Sequence, residues 1–587
     1  MTNDLIRRRP TGAAPWAVIA FLLVAACGAN TSQQAAQSGA SATGTTAQPQ
    51  MGAPMEAEPQ APAASISPPA ASLGKQQESK KGDLRIDITH GALSTTAGMP
   101  SAAPTAQPTV NTERYQDVDP NPVKIAAAEP VSTFSIDVDT ASYSNVRRFL
   151  HEGTLPPRDA VRIEEMVNYF DYAYDLPKER TAPFATSVAV MPTPWNPGTR
   201  LLHIGIKGYD IARTERPRAN IVFLIDVSGS MASADKLPLV KQTMSDFVRH
   251  LEAGDRVAIV VYAGNAGTVL EPTPASDTSR ILAAIDNLEA GGSTAGGEGI
   301  RQAYALAERN FDKRAVNRVI LATDGDFNVG ITDPQALEDF VARKRETGIY
   351  LSVLGFGTGN INDDLWQKLA QNGNGNAAYI DSLMEGHKVL IEEASATLFP
   401  IANDVKIQVE FNPAVVAEYR LIGYETRALK REDFNNDKVD AGEIGSGHEV
   451  TALYEITPVG SSARLNDPLR YGTQAEPTVA DRGSEYAFLR LRYKLPGEPT
   501  SRLIERPVTQ ADGYASIDRA PAEARFAVAV AAFGELLRGD PYLKHYGYDD
   551  VLALAQPARG PDAYGYRAEF VQLVRLAGSA QAQAALQ

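Results

Sequence analysis

The chain has 587 residues, one cysteine and a formal net charge of −15, with 43% hydrophobic and 22% charged residues. Its length allows several folded domains, and its one cysteine excludes an intramolecular disulfide or a thiolate metal cluster. The acidic balance argues against nucleic acid, and against adhesion to anionic lipid by charge alone.

The chain opens with Arg7, Arg8 and Arg9 before a short apolar stretch from Ala13 to Ala26. A basic region, a short apolar region and small residues before a cut predict a signal peptide over residues 1–26; the apolar stretch is too short for a spanning helix. Val24-Ala25-Ala26-Cys27 resembles a bacterial lipobox. That resemblance implies export, acylation of Cys27 and attachment to a membrane in the cell envelope. Gly28 after the cysteine implies sorting to an outer membrane, facing the periplasm or the exterior. Without residues 1–26 the charge is −17, so anchoring falls to the acyl chains, and one chain is too weak alone. Residues 27–112 are dominated by Ala, Ser, Thr, Gln, Gly and Pro, with no aromatic between Phe21 and Tyr115. Such a segment cannot bury enough apolar area to fold and is expected to be a disordered tether. Leu84–Ile88 is its one strand-like stretch.

Order is expected from residue 113. Val131–Tyr143 reads as a strand followed by a helix that continues through Val146 and Phe149; Arg162–Phe170 reads as a second short helix. Strands are expected at Phe184–Val190 and Leu201–Gly205, making residues 113–218 an α+β extension. Asp137 and Asp139 follow the first strand, and an Asp-x-Asp there can supply a nucleophile and an acid–base group. In haloacid-dehalogenase-type phosphotransferases Thr or Val stands where this chain has Ala141, and no downstream Lys and acidic pair is in register. A structural role is expected instead, with Asp139 or Thr140 capping the helix.

Ile221-Val222-Phe223-Leu224-Ile225 ends in Asp226, followed by Ser228 and Ser230 around Gly229. The apolar run predicts a buried central strand, which would present the three polar residues where open α/β sheets place their ligand crevice. Small oxygen donors suit a hard cation. Val319–Thr323 is a second apolar strand ending in Asp324-Gly325, and Gly291-Gly292-Ser293-Thr294 lies between the two. This D-x-S-x-S with its later Thr and T-D-G resembles the metal-ion-dependent adhesion site (MIDAS) of von Willebrand factor A domains. The resemblance implies a cation held at Asp226, Ser228, Ser230, Thr294 and Asp324, with Ser293 one residue away as the alternative to Thr294. It also implies an open coordination position for an acidic group of a partner. Mg2+ is expected; Mn2+ and Ca2+ accept the same oxygen ligands.

Around these motifs, residues 219–401 alternate strands and helices. Strands are expected at Arg256–Tyr262 and Tyr350–Gly357, with helices around Val240–Leu251, Ile281–Leu288, Gly299–Phe311 and Asp363–Ala370. The alternation predicts a doubly wound, mainly parallel sheet. The glycines of Gly355–Asn360 miss the dinucleotide fingerprint and predict a turn.

Beyond the A domain the period becomes two, at Val405, Ile407, Val409 and Phe411, at Val450, Ala452 and Tyr454, and at Ala487, Leu489, Leu491 and Tyr493. This predicts an antiparallel, sandwich-like region over 402–510. Asp433–Asp440 superficially resembles a calcium loop, but Lys438 stands where Gly is needed and Ile444 where Glu is needed, so an acidic hairpin turn is expected. Residues 511–587 return to helix, with Phe526, Val530, Phe533 and Leu537 on one face and Phe570, Leu573, Val574 and Gly578 on another. Thr133–Phe170 in this order, and the sandwich followed by a Gly539–Tyr542 turn and closing helices, resemble a bacterial family of A-domain proteins called YfbK-like. The expected function is therefore a non-enzymatic, lipid-anchored binding protein that takes an Asp or Glu of a protein partner through a divalent cation. The alternatives are an envelope scaffold with a structural metal and a metal-dependent hydrolase using Asp137 and Asp139. Loops Ala263–Gly267 and Asp326–Gly330 are expected to supply specificity.

Overall fold

The computed structural model of the protein describes residues 112–586, apart from 137–138, 179–181, 213–214, 293–296, 326–332, 440 and 468–483. The signal segment, Cys27, Leu84–Ile88, Asp137, Ser293, Thr294 and the loop at 326–330 lie outside the described residues.

The predicted doubly wound unit is present. Its six-stranded sheet runs, in spatial order, 377–380, 349–356, 316–323, 219–226, 256–262, 266–274. Every neighbouring pair is parallel except the last, which is antiparallel. All eight residues of Ala219–Asp226 are buried. Their alternation divides two cores: Ile221, Phe223 and Ile225 pack with Val240, Met244 and Phe247 of helix Leu237–His250 on one face. Val222 and Leu224 pack with Ile300 and Tyr304 of helix Gly297–Arg309 and Trp366 of helix Asp363–Asn372 on the other. Ala266–Pro274 is a strand, so only the first residues of the expected Ala263–Gly267 loop remain a turn. Its weak signal has a physical reason: an edge strand tolerates Pro272 and Pro274 and leaves Val269 exposed, which blurs the alternation.

The flanking segments share their sheets across long sequence distances. Strand Val131–Ser135 pairs antiparallel with Pro400–Phe411, which also pairs with Glu485–Lys494. The hairpin Phe184–Thr193 and Asn196–Gly208 pairs with Glu449–Pro458. The two sheets close on one core containing Ile204, Tyr454, Ile407 and Leu491, so the sandwich draws strands from both sides of the A domain. The predicted period-two positions all lie buried in it. In place of the expected acidic hairpin turn, Arg431–Asn435 forms a 3₁₀ turn. The carbonyls of Asp433 and Asn436 accept from Lys406 Nζ, and Asp437 pairs with Arg492.

Three closing helices, Ala522–Arg538, Tyr548–Ala558 and Tyr566–Ala584, pack with helices Ala141–His151 and Ile163–Val167 around Phe170, Phe526, Phe533 and Phe570. Gly534 permits the closest approach, since a Cβ there would lie 3.0 Å from Ile163 Cγ1. No helix among the described residues is long and apolar enough to cross a membrane.

Asp139 does not cap its helix. Its Oδ1 accepts from the Ala377 N–H at 2.7 Å and its Oδ2 from Arg427 at 3.0 Å, which joins the extension to an edge strand of the A domain. Thr140 occupies the N-cap without a side-chain hydrogen bond.

Candidate metal centre

Asp226 ends one central strand and Asp324 directly follows its parallel neighbour, Val316–Thr323. Adjacent parallel strands end side by side, so both carboxylates reach the carboxyl edge of the sheet, 0% and 1% exposed. Beyond Asp226 the chain turns into a 3₁₀ turn, Gly229–Ala232. The Ser228 N–H donates to Asp226 Oδ1 at 2.8 Å, and the Ser228 and Ser230 hydroxyls lie 2.9 Å apart. Ser228 is buried and Ser230 exposed, so the group reaches solvent at Ser230.

The loop that carries the fifth expected ligand is stitched to this turn. The Gly291 N–H donates to the Val227 carbonyl at 2.7 Å, and the Gly229 N–H to the Gly292 carbonyl at 3.1 Å. Gly292 adopts φ +92°, which favours glycine. Thr294 follows two residues later, outside the described residues. The structure thus brings together Asp226, Ser228, Ser230 and Asp324.

The electrostatics are those of an incomplete shell. Asp226 Oδ2 is buried and makes no hydrogen bond of full geometry; the Tyr262 hydroxyl supplies this carboxylate a weaker interaction. Burial first, then the nearby Asp324 charge, pushes the Asp226 carboxyl up to about 6 despite the Ser228 hydrogen bonds. A buried carboxylate oxygen without a full hydrogen bond costs free energy, and a cation beside it removes that cost. The donor set fits such an ion: two carboxylates and two hydroxyls, all oxygen. Among the described residues no group of three or more His, Cys, Asp or Glu is placed to hold a metal, so a site here depends on the hydroxyls.

Residues 220–392 match the von Willebrand factor type A domain family, and 109–203 a family described as von Willebrand factor. Residues 396–580 match the family of the carboxyl-terminal region of the uncharacterized protein YfbK. YfbK of Escherichia coli (strain K12) is 45% identical over 508 residues, covering 86% of this chain and 87% of that protein. The chain belongs to the YfbK family. The uncharacterized protein sll0103 of Synechocystis sp. is 28% identical over 186 residues, 32% of this chain and 43% of that one. A solved von Willebrand factor type A structure from Catenulispora acidiphila covers 66% of this chain and 89% of its own at 16% identity and TM-score 0.38. Proximal thread matrix protein 1 of the mussel byssus, solved with zinc in its MIDAS motif, covers 30% and 45% at 25% identity and TM-score 0.25.

Two neighbours of the site in this YfbK-family chain were not legible as such. Tyr262 reaches Asp226 because the parallel register sets the two side by side. Lys236, which precedes helix Leu237–His250, is 9% exposed and its Nζ lies 2.8 Å from Asp324 Oδ2. Lys236 has no sequence signal beyond its proximity to the motif, and Tyr262, on a different strand, has none. An open groove of about 980 Å³ starts at Met231 and Ala232, beside Ser230, and runs past Leu237, Lys241 and Leu288 to Leu383.

Gly325 completes the T-D-G element and sets its backbone. At φ +132°, a Cβ would lie 1.8 Å from the Asn360 carbonyl oxygen. Gly325→Ala is expected to cost about 1–3 kcal/mol, read as a lower urea midpoint, and to weaken cation binding by displacing Asp324. A wild-type midpoint would contradict that backbone role.

Proposed function

We propose that the protein is an exported, lipid-anchored binding protein of the cell envelope, not an enzyme. Its A domain holds a divalent cation, Mg2+ first, at Asp226, Ser228, Ser230, Thr294 and Asp324, and this cation takes an Asp or Glu of a protein partner. The buried Asp226 carboxylate, its Oδ2 without a hydrogen bond of full geometry, beside two hydroxyls and a second carboxylate carries the reading. Neutral hydroxyl ligands leave the ion much of its charge, which suits capture of an anion. The groove beside Ser230 offers the surface for contacts beyond the one carboxylate, which is too generic to discriminate partners. Membrane attachment is assigned to Cys27 from its lipobox-like setting.

The test is retention of envelope proteins by the purified protein with Mg2+, with EDTA, and in Ser228→Ala/Ser230→Ala after circular dichroism confirms a native fold. A partner should be held only by the wild type with metal, and Mn2+ affinity should fall roughly 100-fold or more in the variant, since even outer-shell changes cost 10–100-fold. Equal retention in all three sinks the mechanism. A melting temperature that collapses in EDTA without a separable binding defect would favour a scaffold with a structural metal.

A further inference from the structure

Lys236 stands in an electrostatically poor place. It occupies the N-cap of a 14-residue helix, where the positive end of the helix dipole disfavours a cation, and its stem is buried. Its side chain nonetheless follows a prepared path. Gly357, at φ +75°, lines that path so closely that a Cβ would fall 2.3–2.8 Å from three carbons of the lysine stem. The path ends at Asp324 Oδ2, 2.8 Å away, on a carboxylate that is itself 1% exposed. A buried ion pair of this kind is a poor source of net stability, because desolvation offsets the attraction. Its location beside the metal ligands gives it another use.

We infer that Lys236 is a built-in counter-charge that tunes the metal site, a role that rests on the cation-binding reading above. Asp226 and Asp324 contribute two negative charges and Lys236 returns one. With a divalent ion in place the group carries a net charge of +1, which a single carboxylate from a partner neutralises. Without the lysine the group is neutral once loaded, holds the cation harder and attracts an anion less. The ammonium also competes for Asp324, which favours contact between that carboxylate and the ion through water over direct ligation. Lys236 is therefore a positioning and charge-setting residue, not a ligand.

The test is calorimetric titration of the full-length protein with Mn2+ alone, comparing wild type, Lys236→Arg and Lys236→Gln. Lys236→Gln should bind Mn2+ about tenfold more tightly, the size expected for removing one like charge several ångströms from the ion, and Lys236→Arg should stay close to wild type. Because Lys236→Gln leaves Asp324 buried without its partner, Asp324→Asn and Lys236→Gln/Asp324→Asn form a second pair, in which the double variant should bind several-fold more tightly. Equal or weaker binding on losing the lysine in both pairs overturns the role of Lys236 while leaving the metal site standing. No Mn2+ binding by the wild type or Lys236→Gln overturns the metal reading and this inference with it.

Discussion

Arg162→Met is expected to lower folding stability by about 3–5 kcal/mol, the cost of leaving buried charges without their partner. Arg162 is 3% exposed, and its guanidinium bonds two carboxylates at once. Nε and Nη2 donate to Glu165 at 2.5 and 3.1 Å, and Nη1 and Nη2 to Asp363 at 2.7 and 3.1 Å. Glu165 also accepts from the Ser142 N–H and from Gln367, so the group ties the amino-terminal extension to helix Asp363–Asn372 of the A domain. Methionine fills similar volume but leaves Glu165 and Asp363 facing each other in a dry interior. Urea unfolding should show the loss as a lower midpoint, and Arg162→Met/Glu165→Gln/Asp363→Asn should recover part of it. An unchanged midpoint in the single variant would remove this network from the interactions that hold the two segments together.

Glu164→Gln, one residue along, should act in the opposite direction, with an advantage that grows as pH rises above about 4.5 and is nearly complete by about 7. Glu164 is 2% exposed, and its Oε2 is buried without a donor. Burial first, then the charges of Glu425 and Glu165, push its carboxyl from 4.5 up to about 7. Between those two values the folded state holds a proton that the unfolded chain has released. Stability from this group is therefore complete below about pH 4.5 and falls as pH rises to about 7. Glutamine keeps the shape and removes the ionisation. The variant should exceed wild type by about 1–3 kcal/mol at pH 8 and lose that advantage at pH 5. A residual slope should remain, because Glu449 and Glu535 are also pushed up to about 7 by burial. Urea midpoints at pH 5, 6.5 and 8 measure it, and a variant–wild-type difference that ignores pH would contradict the assignment.

Read together, these residues separate two kinds of information. Local pattern pointed to the parallel sheet, because a short apolar run such as Ile221–Ile225 bounded by turn residues reads as a strand buried on both faces. The alternation at Val405–Phe411 reads as a strand with one apolar face, whereas the assembled fold buries Lys406 and Gln408 on the other face as well. Local pattern also pointed to Asp226, Ser228, Ser230 and Asp324 as neighbours, since strand ends and tight turns are set within a few residues. What tertiary structure decided is whatever depends on partners far along the chain. Val131–Ser135 is a strand because Pro400–Phe411 lies beside it, and nothing in its five residues names that partner. Asp139 looked like a cap because capping is local, whereas its partners are Ala377 and Arg427. Lys236, an ordinary lysine at a helix start in sequence, comes to neighbour the candidate metal centre only because Gly357 and Asp324 close around it. Burial and charge pairing are properties of the assembled interior, where desolvation makes the neighbour of a charge matter more than the charge itself.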